Sequence, residues 1–179
     1  MPDSIVQYTL TDTVAVLKMD DGKVNALSHE MIDALHEALD RAEAEAKAVV
    51  LVGREGRFSA GFHLKTMMAS AESAINLLKR GSSVFMRLYG LPIPLVIAGS
   101  GHAIAGGALL ILCGDVRIGV DAPVKIGLNE LAIGMPLPVL AVELVRDRLH
   151  PSALTAATLG AQIYEPQAAV TAGYLDRIV

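Results

Sequence analysis

The chain has 179 residues, of which 53% are hydrophobic and 19% are charged. This length suits one globular domain with a sizeable core, and the low charged fraction excludes a disordered chain. The formal net charge of −4 gives no indication of a nucleic-acid partner. The single cysteine, Cys113, excludes an intrachain disulfide, and its apolar neighbours favour a buried structural thiol over a nucleophile.

The hydrophobic pattern predicts strands and helices in alternation. The predicted strands lie, in chain order, at residues 5–8, 14–18, 48–52, 95–98 and 115–120. The predicted helices lie at residues 29–47 after an N-cap at Ser28, at 70–88, and at 108–113, with a mainly helical remainder after residue 120. On the second helix, one side is expected to carry Ile75, Leu78, Phe85 and Leu88. This alternation indicates an α/β architecture, and no repeat or linker divides it.

Targeting signals are not apparent in the sequence. The first eight residues have neither a basic region nor a long apolar stretch, so no signal peptide is predicted. Prolines interrupt the longest apolar runs before the ~20 residues that a membrane-spanning helix needs. We therefore expect a cytoplasmic protein with no membrane association.

Two glycine-containing loops follow the apolar strands predicted at 48–52 and 95–98. The first includes residues 57–64 and the second residues 101–107. Open α/β sheets bind ligands at the C-terminal ends of their strands, and small residues let a ligand approach the backbone. Backbone N–H groups from two such loops would make an oxyanion hole. The spacing alone is equally compatible with two tight strand-to-helix turns.

Sequence motifs for other chemistries are either incomplete or absent. Gly99-Ser100-Gly101 begins like a dinucleotide-binding fingerprint, but Ile104 stands where the third glycine is required. Neither Ser59 nor Ser100 lies in a G-x-S-x-G elbow. The histidines lack metal-binding spacing and no Walker A loop occurs. The sequence therefore predicts no metal site and no phosphoryl transfer.

Four blocks, taken in order, resemble the crotonase (enoyl-CoA hydratase/isomerase) superfamily. They are Phe58-Ser59-Ala60-Gly61-Phe62-His63-Leu64-Lys65, then Gly106-Gly107, then Cys113-Gly114-Asp115-Val116-Arg117-Ile118, and then Gly127-Leu128-Asn129-Glu130. The resemblance runs from about residue 5 to the end of the chain. It implies an α/β fold built as a spiral of ββα units, usually assembled into homotrimers or hexamers. It also implies an acyl-CoA substrate of fatty acid metabolism, with coenzyme A as part of the substrate and no separate cofactor.

The resemblance assigns roles to particular residues. The N–H groups of Ala60 and Gly106 would bind the thioester oxygen, and Glu130 would be the acid/base. The larger set that it assigns to substrate binding is Lys23, Asn25, Ala26, Leu27, Ala60, Gly61, Phe62, His63, Leu64, Gly106 and Leu109. By itself, Glu130 would also suit an ordinary surface helix cap.

The reaction depends on position 109. Hydratases of this family use two glutamates, which would align with Leu109 and Glu130. Because leucine cannot accept a proton, the resemblance favours the Δ3,Δ2-enoyl-CoA isomerases, in which Glu130 would move a proton from C2 to C4 of a 3-enoyl-CoA. A hydratase (lyase) is the first alternative, and an inactive acyl-CoA-binding or structural homologue is the second.

Two departures from the family pattern stand out. His63 occupies a position where the family usually has aspartate, and a structural role is favoured for it. Family members also continue after the position of Val179 with a C-terminal helical segment that covers the CoA site and builds the trimer. We therefore expect residues 1–179 to form a crotonase-like core domain that lacks this segment.

Overall fold

The computed structural model describes residues 4–179, and their strands and helices alternate as the sequence predicts. The strands are β1 (Val6–Thr11), β2 (Val14–Met19), β3 (Ala48–Val52), β4 (Gly56–Ser59), β5 (Leu95–Gly99), β6 (Gly101–Ile104), β7 (Val116–Gly119), β8 (Ile126–Gly127) and β9 (Arg177–Ile178). The helices are α1 (His29–Glu45), α2 (Leu64–Met67), α3 (Ala71–Tyr89), α4 (Gly106–Leu112), α5 (Val139–Arg148), α6 (Leu154–Ala157) and α7 (Pro166–Ala172). Short 3-10 turns lie at Leu131–Ile133 and Pro151–Ala153.

Two sheets share these strands. The larger has the order β1-β2-β3-β5-β7-β9 and is parallel except for the hairpin between β1 and β2. The smaller has the order β4-β6-β8 and is parallel throughout. Along the chain, β3-β4, β5-β6 and β7-β8 each place one strand in the larger sheet and the next in the smaller, before a helix follows. The α/β architecture predicted from the sequence is confirmed, as a series of ββα units.

The core lies between the larger sheet and the two long helices. Leu17, Leu51 and Ile97, from three neighbouring strands, are fully buried in the same cluster as Leu35 and Leu39 of α1. Burying one such side chain contributes roughly 1.5–3 kcal/mol, so this cluster holds the sheet against the helices.

Side-chain caps begin both long helices. The Ser28 hydroxyl accepts a hydrogen bond from the Met31 amide, and the Ser70 hydroxyl accepts one from the Ser73 amide. The N-cap predicted at Ser28 is therefore confirmed. Within residues 4–179, none of the helices combines the length and the apolar character that crossing a membrane would require.

Both predicted loops contain strands that the sequence analysis missed. The segment 53–61 includes β4, and the segment 99–107 includes β6. These four-residue strands pair with each other in the smaller sheet, so they are formed by a partner about 45 residues away rather than by a local apolar pattern. The third predicted helix, at 108–113, also begins earlier, at Gly106.

One residue on α3 was assigned to the wrong side. Ile75 is 54% exposed, whereas Leu77, Val84 and Leu88 are buried. Two residues along an α-helix turn the side chain by about 200°, so a helix that buries Leu77 directs Ile75 away from the core.

Candidate active site

A cavity of about 540 Å³ lies at the C-terminal ends of β4 and β6. The residues from the predicted substrate-binding and catalytic sets that line it are Ala26, Ala60, Phe62, His63, Leu64, Leu109 and Glu130. Lys23, Asn25, Leu27, Gly61 and Gly106 do not line it. The cavity therefore joins the two predicted loops to the loop that follows β8, where Glu130 lies.

Residues in the segment 23–27 support the first loop through hydrogen bonds. Asn25 is fully buried and its side-chain amide donates to the carbonyl oxygens of Met19 (3.0 Å) and Phe58 (3.1 Å). Leu27 pairs along the first loop: its amide donates to the Gly61 carbonyl at 2.8 Å, and its carbonyl accepts from the His63 amide at 3.1 Å. Asn25 and Leu27 thus hold the first loop in place, while Ala26 faces the cavity.

The amide of Ala60, predicted as an oxyanion donor, is already engaged. It donates to the carbonyl oxygen of Val24 at 3.0 Å. The amide of Gly61 donates to the Ser59 hydroxyl at 3.2 Å, and the His63 amide is bound to Leu27. An N–H group carries one hydrogen, so between Ala60 and His63 the Phe62 amide is left, with no intramolecular acceptor among residues 4–179. Phe62 replaces Ala60 as the candidate donor.

The Gly106 amide is likewise without an acceptor within the described part of the chain. It is the first residue of α4, where backbone N–H groups have no partner inside the helix. Gly61 lies directly against it, since a Cβ added to Gly61 would come within 2.8 Å of the Gly106 nitrogen. The φ of +83° at Gly61 also requires glycine. The loop after β4 therefore touches the start of α4, and the two free amides lie on adjoining segments.

Backbone strain marks the same place. Ala105, which lines the cavity and precedes Gly106, has φ 55° and ψ −124°. A non-glycine residue in such a conformation costs about 1–3 kcal/mol, and such strain is concentrated at ligand-binding and catalytic positions. The Ala105 amide is held by the Gly127 carbonyl at 2.9 Å, which ties this strained residue to the segment that leads to Glu130.

Glu130 brings a carboxyl group into an apolar cavity. It is 9% exposed, and its Oε2 atom is buried with no hydrogen-bond partner among the residues that the structure describes. Burial raises the pKa of the Glu130 carboxyl above its usual range, although backbone N–H groups of Asn129 and Glu130 itself oppose this shift. A buried carboxylate with a free oxygen can accept a proton from a bound ligand, so Glu130 is not an ordinary surface cap.

Leu109 and His63 complete the predicted set. Leu109 is 3% exposed and lines the cavity from the first turn of α4. His63 precedes α2, and its Nδ1 atom lies 2.8 Å from the Thr66 hydroxyl. This bond to its own short helix fits the structural role favoured from the sequence, although the ring also reaches the cavity wall.

The sequence analysis missed a large part of the cavity wall. One missed group is the α3 face that carries Leu78, Ser82 and Phe85, and another is the segment from Ile133 to Ala141. The α3 residues follow one another at intervals of four and three, so helical spacing could have revealed them once Leu78 and Phe85 were placed on one side. The irregular segment with Pro136 and Pro138 carries no periodic signal.

Comparisons with known proteins show the family to which the chain is similar. The sequence profile described as Enoyl-CoA hydratase/isomerase matches residues 9–179. An enoyl-CoA hydratase/isomerase family protein from Pseudomonas syringae is 45% identical, with a TM-score of 0.96 over 98% of this chain and 76% of that one. An enoyl-CoA hydratase from Mycobacterium marinum is 42% identical, with a TM-score of 0.94 over 98% of this chain and 77% of that one.

Similarity extends to an isomerase as well. The human mitochondrial enoyl-CoA delta isomerase 1 is 34% identical over 93% of this chain, and this chain spans 57% of its length. Relatives bearing hydratase names and relatives bearing isomerase names thus match at comparable identity. The fold, the profile and these relatives together show that the chain belongs to the enoyl-CoA hydratase/isomerase family, the crotonase superfamily.

Proposed function

We propose that this protein is an enoyl-CoA isomerase that converts a 3-enoyl-CoA into a 2-enoyl-CoA. The observation that carries this proposal is the acid content of the cavity. Among the described residues that line it, Glu130 is the sole carboxylate, and the residue that the first turn of α4 contributes to the wall is the apolar Leu109. One base suffices for moving a proton between two carbons, whereas adding water across a double bond also needs a group that orients the water.

The proposed chemistry assigns one task to each group. The ionised Glu130 carboxylate removes a proton from C2, and the electron pair passes toward the thioester carbonyl to give a dienolate. The amides of Phe62 and Gly106 donate to the dienolate oxygen, and Glu130 then returns the proton at C4. Each such donor typically lowers the barrier by roughly 3 kcal/mol. The apolar surroundings keep water away from the dienolate and strengthen both hydrogen bonds.

The raised pKa of Glu130 supports this role. A carboxyl group whose pKa lies closer to the working pH both accepts and returns a proton more readily than an ordinary surface glutamate. Burial, the main cause of the shift, comes from the same apolar walls that would surround the acyl group.

The test is an assay of the protein on 3-enoyl-CoA and 2-enoyl-CoA side by side, with Glu130→Gln as the control. We expect conversion of the 3-enoyl substrate, little hydration of the 2-enoyl substrate, and loss of at least about a hundredfold in kcat for Glu130→Gln. Full activity of that variant would remove Glu130 from the mechanism. Hydration that depends on Glu130 would instead favour the hydratase alternative.

An inactive acyl-CoA-binding homologue is the remaining alternative. Binding of an acyl-CoA by calorimetry, without turnover of either enoyl substrate, would support it. We further expect the homotrimer or hexamer that the family resemblance implies. Light scattering after size-exclusion chromatography measures this directly, and a monomer would favour the inactive homologue.

A further inference from the structure

Gly81 lies in the interior of α3, where glycine is the least favourable residue after proline. It is buried, and a Cβ added to it would overlap the Cε1 and Cζ atoms of the Phe62 ring. The ring of Phe62 therefore occupies the space that a side chain at position 81 would need. A glycine at this position of a helix has a packing reason, and that reason is Phe62.

The Phe62 ring is enclosed on two further sides. Its Cδ2 edge would lie 3.4 Å from a Cβ added to Gly106, the second candidate donor. The ring of Phe85 meets it edge to face, with centroids 5.9 Å apart and an angle of 74° between the planes. The half-buried ring thus packs against Gly81 of α3 and against Phe85, beside the start of α4.

The backbone of Phe62 is fastened as closely as its ring. On one side the Gly61 carbonyl accepts from the Leu27 amide, and on the other the His63 amide donates to the Leu27 carbonyl. A ring pushed away from α3 must therefore either rotate about its χ angles or turn the peptide between these two bonds. Phe85 restricts rotation of the ring on one side, and we expect the peptide, and with it the Phe62 N–H, to turn.

We propose that Gly81 is a positioning residue, whose missing side chain seats the Phe62 ring and thereby aims the Phe62 amide at the substrate carbonyl. This inference rests on the proposed function, because it assumes that the Phe62 amide is an oxyanion donor. Gly81 touches no reacting atom and acts only through the ring.

The test measures hydrogen bonding to the substrate carbonyl as well as turnover. Octanoyl-CoA labelled with carbon-13 at the thioester carbon binds but cannot isomerise, and hydrogen bonds to its carbonyl oxygen lower the infrared stretching frequency. For Gly81→Ala we expect a smaller shift on binding than in the unaltered protein, and a fall in kcat for the 3-enoyl substrate of about tenfold to a hundredfold. Gly90→Ala at the end of the same helix is the matched control, and we expect its shift to be unchanged.

The two proposals fail in different ways. An unaltered protein that binds octanoyl-CoA without lowering the carbonyl frequency would overturn the oxyanion site and this inference together. A normal shift in the unaltered protein and the same shift in Gly81→Ala would overturn the inference alone. A variant that raises KM while keeping the carbonyl shift would also overturn it, because the ring would then merely obstruct the cavity.

A double variant covers the case in which Gly81→Ala does not fold. Phe62→Leu removes the ring but keeps the backbone amide, so it makes room for an alanine at position 81. We expect Phe62→Leu/Gly81→Ala to fold and to give the same carbonyl shift as Phe62→Leu alone. A smaller shift in the double variant would show that Gly81 acts by some other route than the ring, and would overturn the proposal.

Discussion

The Ser59 hydroxyl donates to the Asn25 carbonyl oxygen at 2.7 Å, and both residues are buried. The same hydroxyl accepts from the Gly61 amide at 3.2 Å, so one side chain fastens the end of β4 to two loops beside the cavity. We predict that Ser59→Ala lowers the free energy of unfolding by about 1–3 kcal/mol, because it leaves a buried carbonyl and a buried amide unpaired. Urea denaturation measures this, with the exposed Ser152→Ala as a control expected to stay within ~0.5 kcal/mol.

Activity should decline in acid as the Glu130 carboxylate becomes protonated. Because burial raises the pKa of Glu130, the acid limb of kcat/KM is expected above pH 4.5, the ordinary value for a glutamate. A pH profile on 3-enoyl-CoA checks this prediction. An acid limb at or below pH 4.5 would show that the free enzyme does not hold Glu130 in the environment described.

The same carboxyl group should weaken the fold at neutral pH. Between pH 4.5 and its raised pKa, the folded chain binds the proton more tightly than the unfolded chain, so the contribution of Glu130 to stability falls as pH rises through this window. We therefore expect Glu130→Gln to unfold at a higher temperature than the unaltered protein at pH 7. The difference should shrink as pH falls below the window, and an opposite trend in thermal melts would contradict the prediction.

Position 109 distinguishes the two candidate reactions. Leu109→Glu would place a second carboxyl group at the cavity wall, and we predict that hydration of 2-enoyl-CoA appears in this variant and depends on Glu130. Glutamine has nearly the same shape as glutamate, but its amide cannot act as an acid or a base, so Leu109→Gln is the control. Hydration at equal rates in the unaltered protein, in Leu109→Glu and in Leu109→Gln would show that Leu109 does not determine the reaction.

Asp176 fastens the last strand to β7. Its carboxylate accepts from the Arg117 guanidinium at 2.5 Å and from the Arg117 amide at 2.7 Å, while Arg117 also donates to the Gly173 carbonyl. Burial opposes ionisation of Asp176, but the bonds from Arg117 outweigh it and hold the pKa of that carboxyl below its usual range. We expect Asp176→Asn to lower the free energy of unfolding by about 1 kcal/mol at pH 7, because the Asp176 side chain is 39% exposed and solvent screens part of its attraction to Arg117.

This contribution also has a defined pH dependence. Since the folded pKa of Asp176 is lowered, its stabilising effect is present above pH 3.8 and is lost as pH falls through the folded value. Denaturation of the unaltered protein and of Asp176→Asn should therefore converge below pH 3.8. A constant difference down to strong acid would contradict the ion pair with Arg117.

Cys113 should resist thiol reagents in the folded protein. It is 1% exposed, and burial raises the pKa of its thiol to about 12 despite the opposing charge of Arg148. Because the thiolate is the reactive form, we predict no measurable reaction with an aromatic disulfide reagent at pH 8 and complete reaction in guanidinium chloride. Rapid labelling of the folded protein would show that this thiol is reachable.

The helices α1 and α3 and the apolar strands β3, β5 and β7 could be predicted from the sequence, whereas β4 and β6 could not. Ser28 and the spacing of apolar residues after it were enough to place α1, because the periodicity of an amphipathic helix is visible in its own sequence. The strand β6 was assigned to a turn, since four residues that include the small Gly101 and Ala103 carry no clear alternation. Its formation depends on β4 and β8, which lie far away in sequence.

The residues of the candidate site were also only partly predictable from the sequence. Family blocks and residue chemistry were enough to select Glu130 and Gly106, whereas the choice between Ala60 and Phe62 depends on which amides already have acceptors. That question is decided by Val24, which lies 36 residues before Ala60 in the chain and beside it in the fold. No local pattern around residues 58–65 contains this information.

The cavity walls have two separate origins. Phe62 and Ala105 belong to the segments that follow β4 and β6, whereas much of the apolar wall comes from α3 and from the segment between Ile133 and Ala141. Substitutions at Leu78 or Ile133 would reshape the space for an acyl tail without touching the hydrogen bonds that hold Ala60, Gly61 and His63. Selectivity for chain length is thus free to drift in evolution, or to be redesigned, while the reactive end of the pocket stays constant.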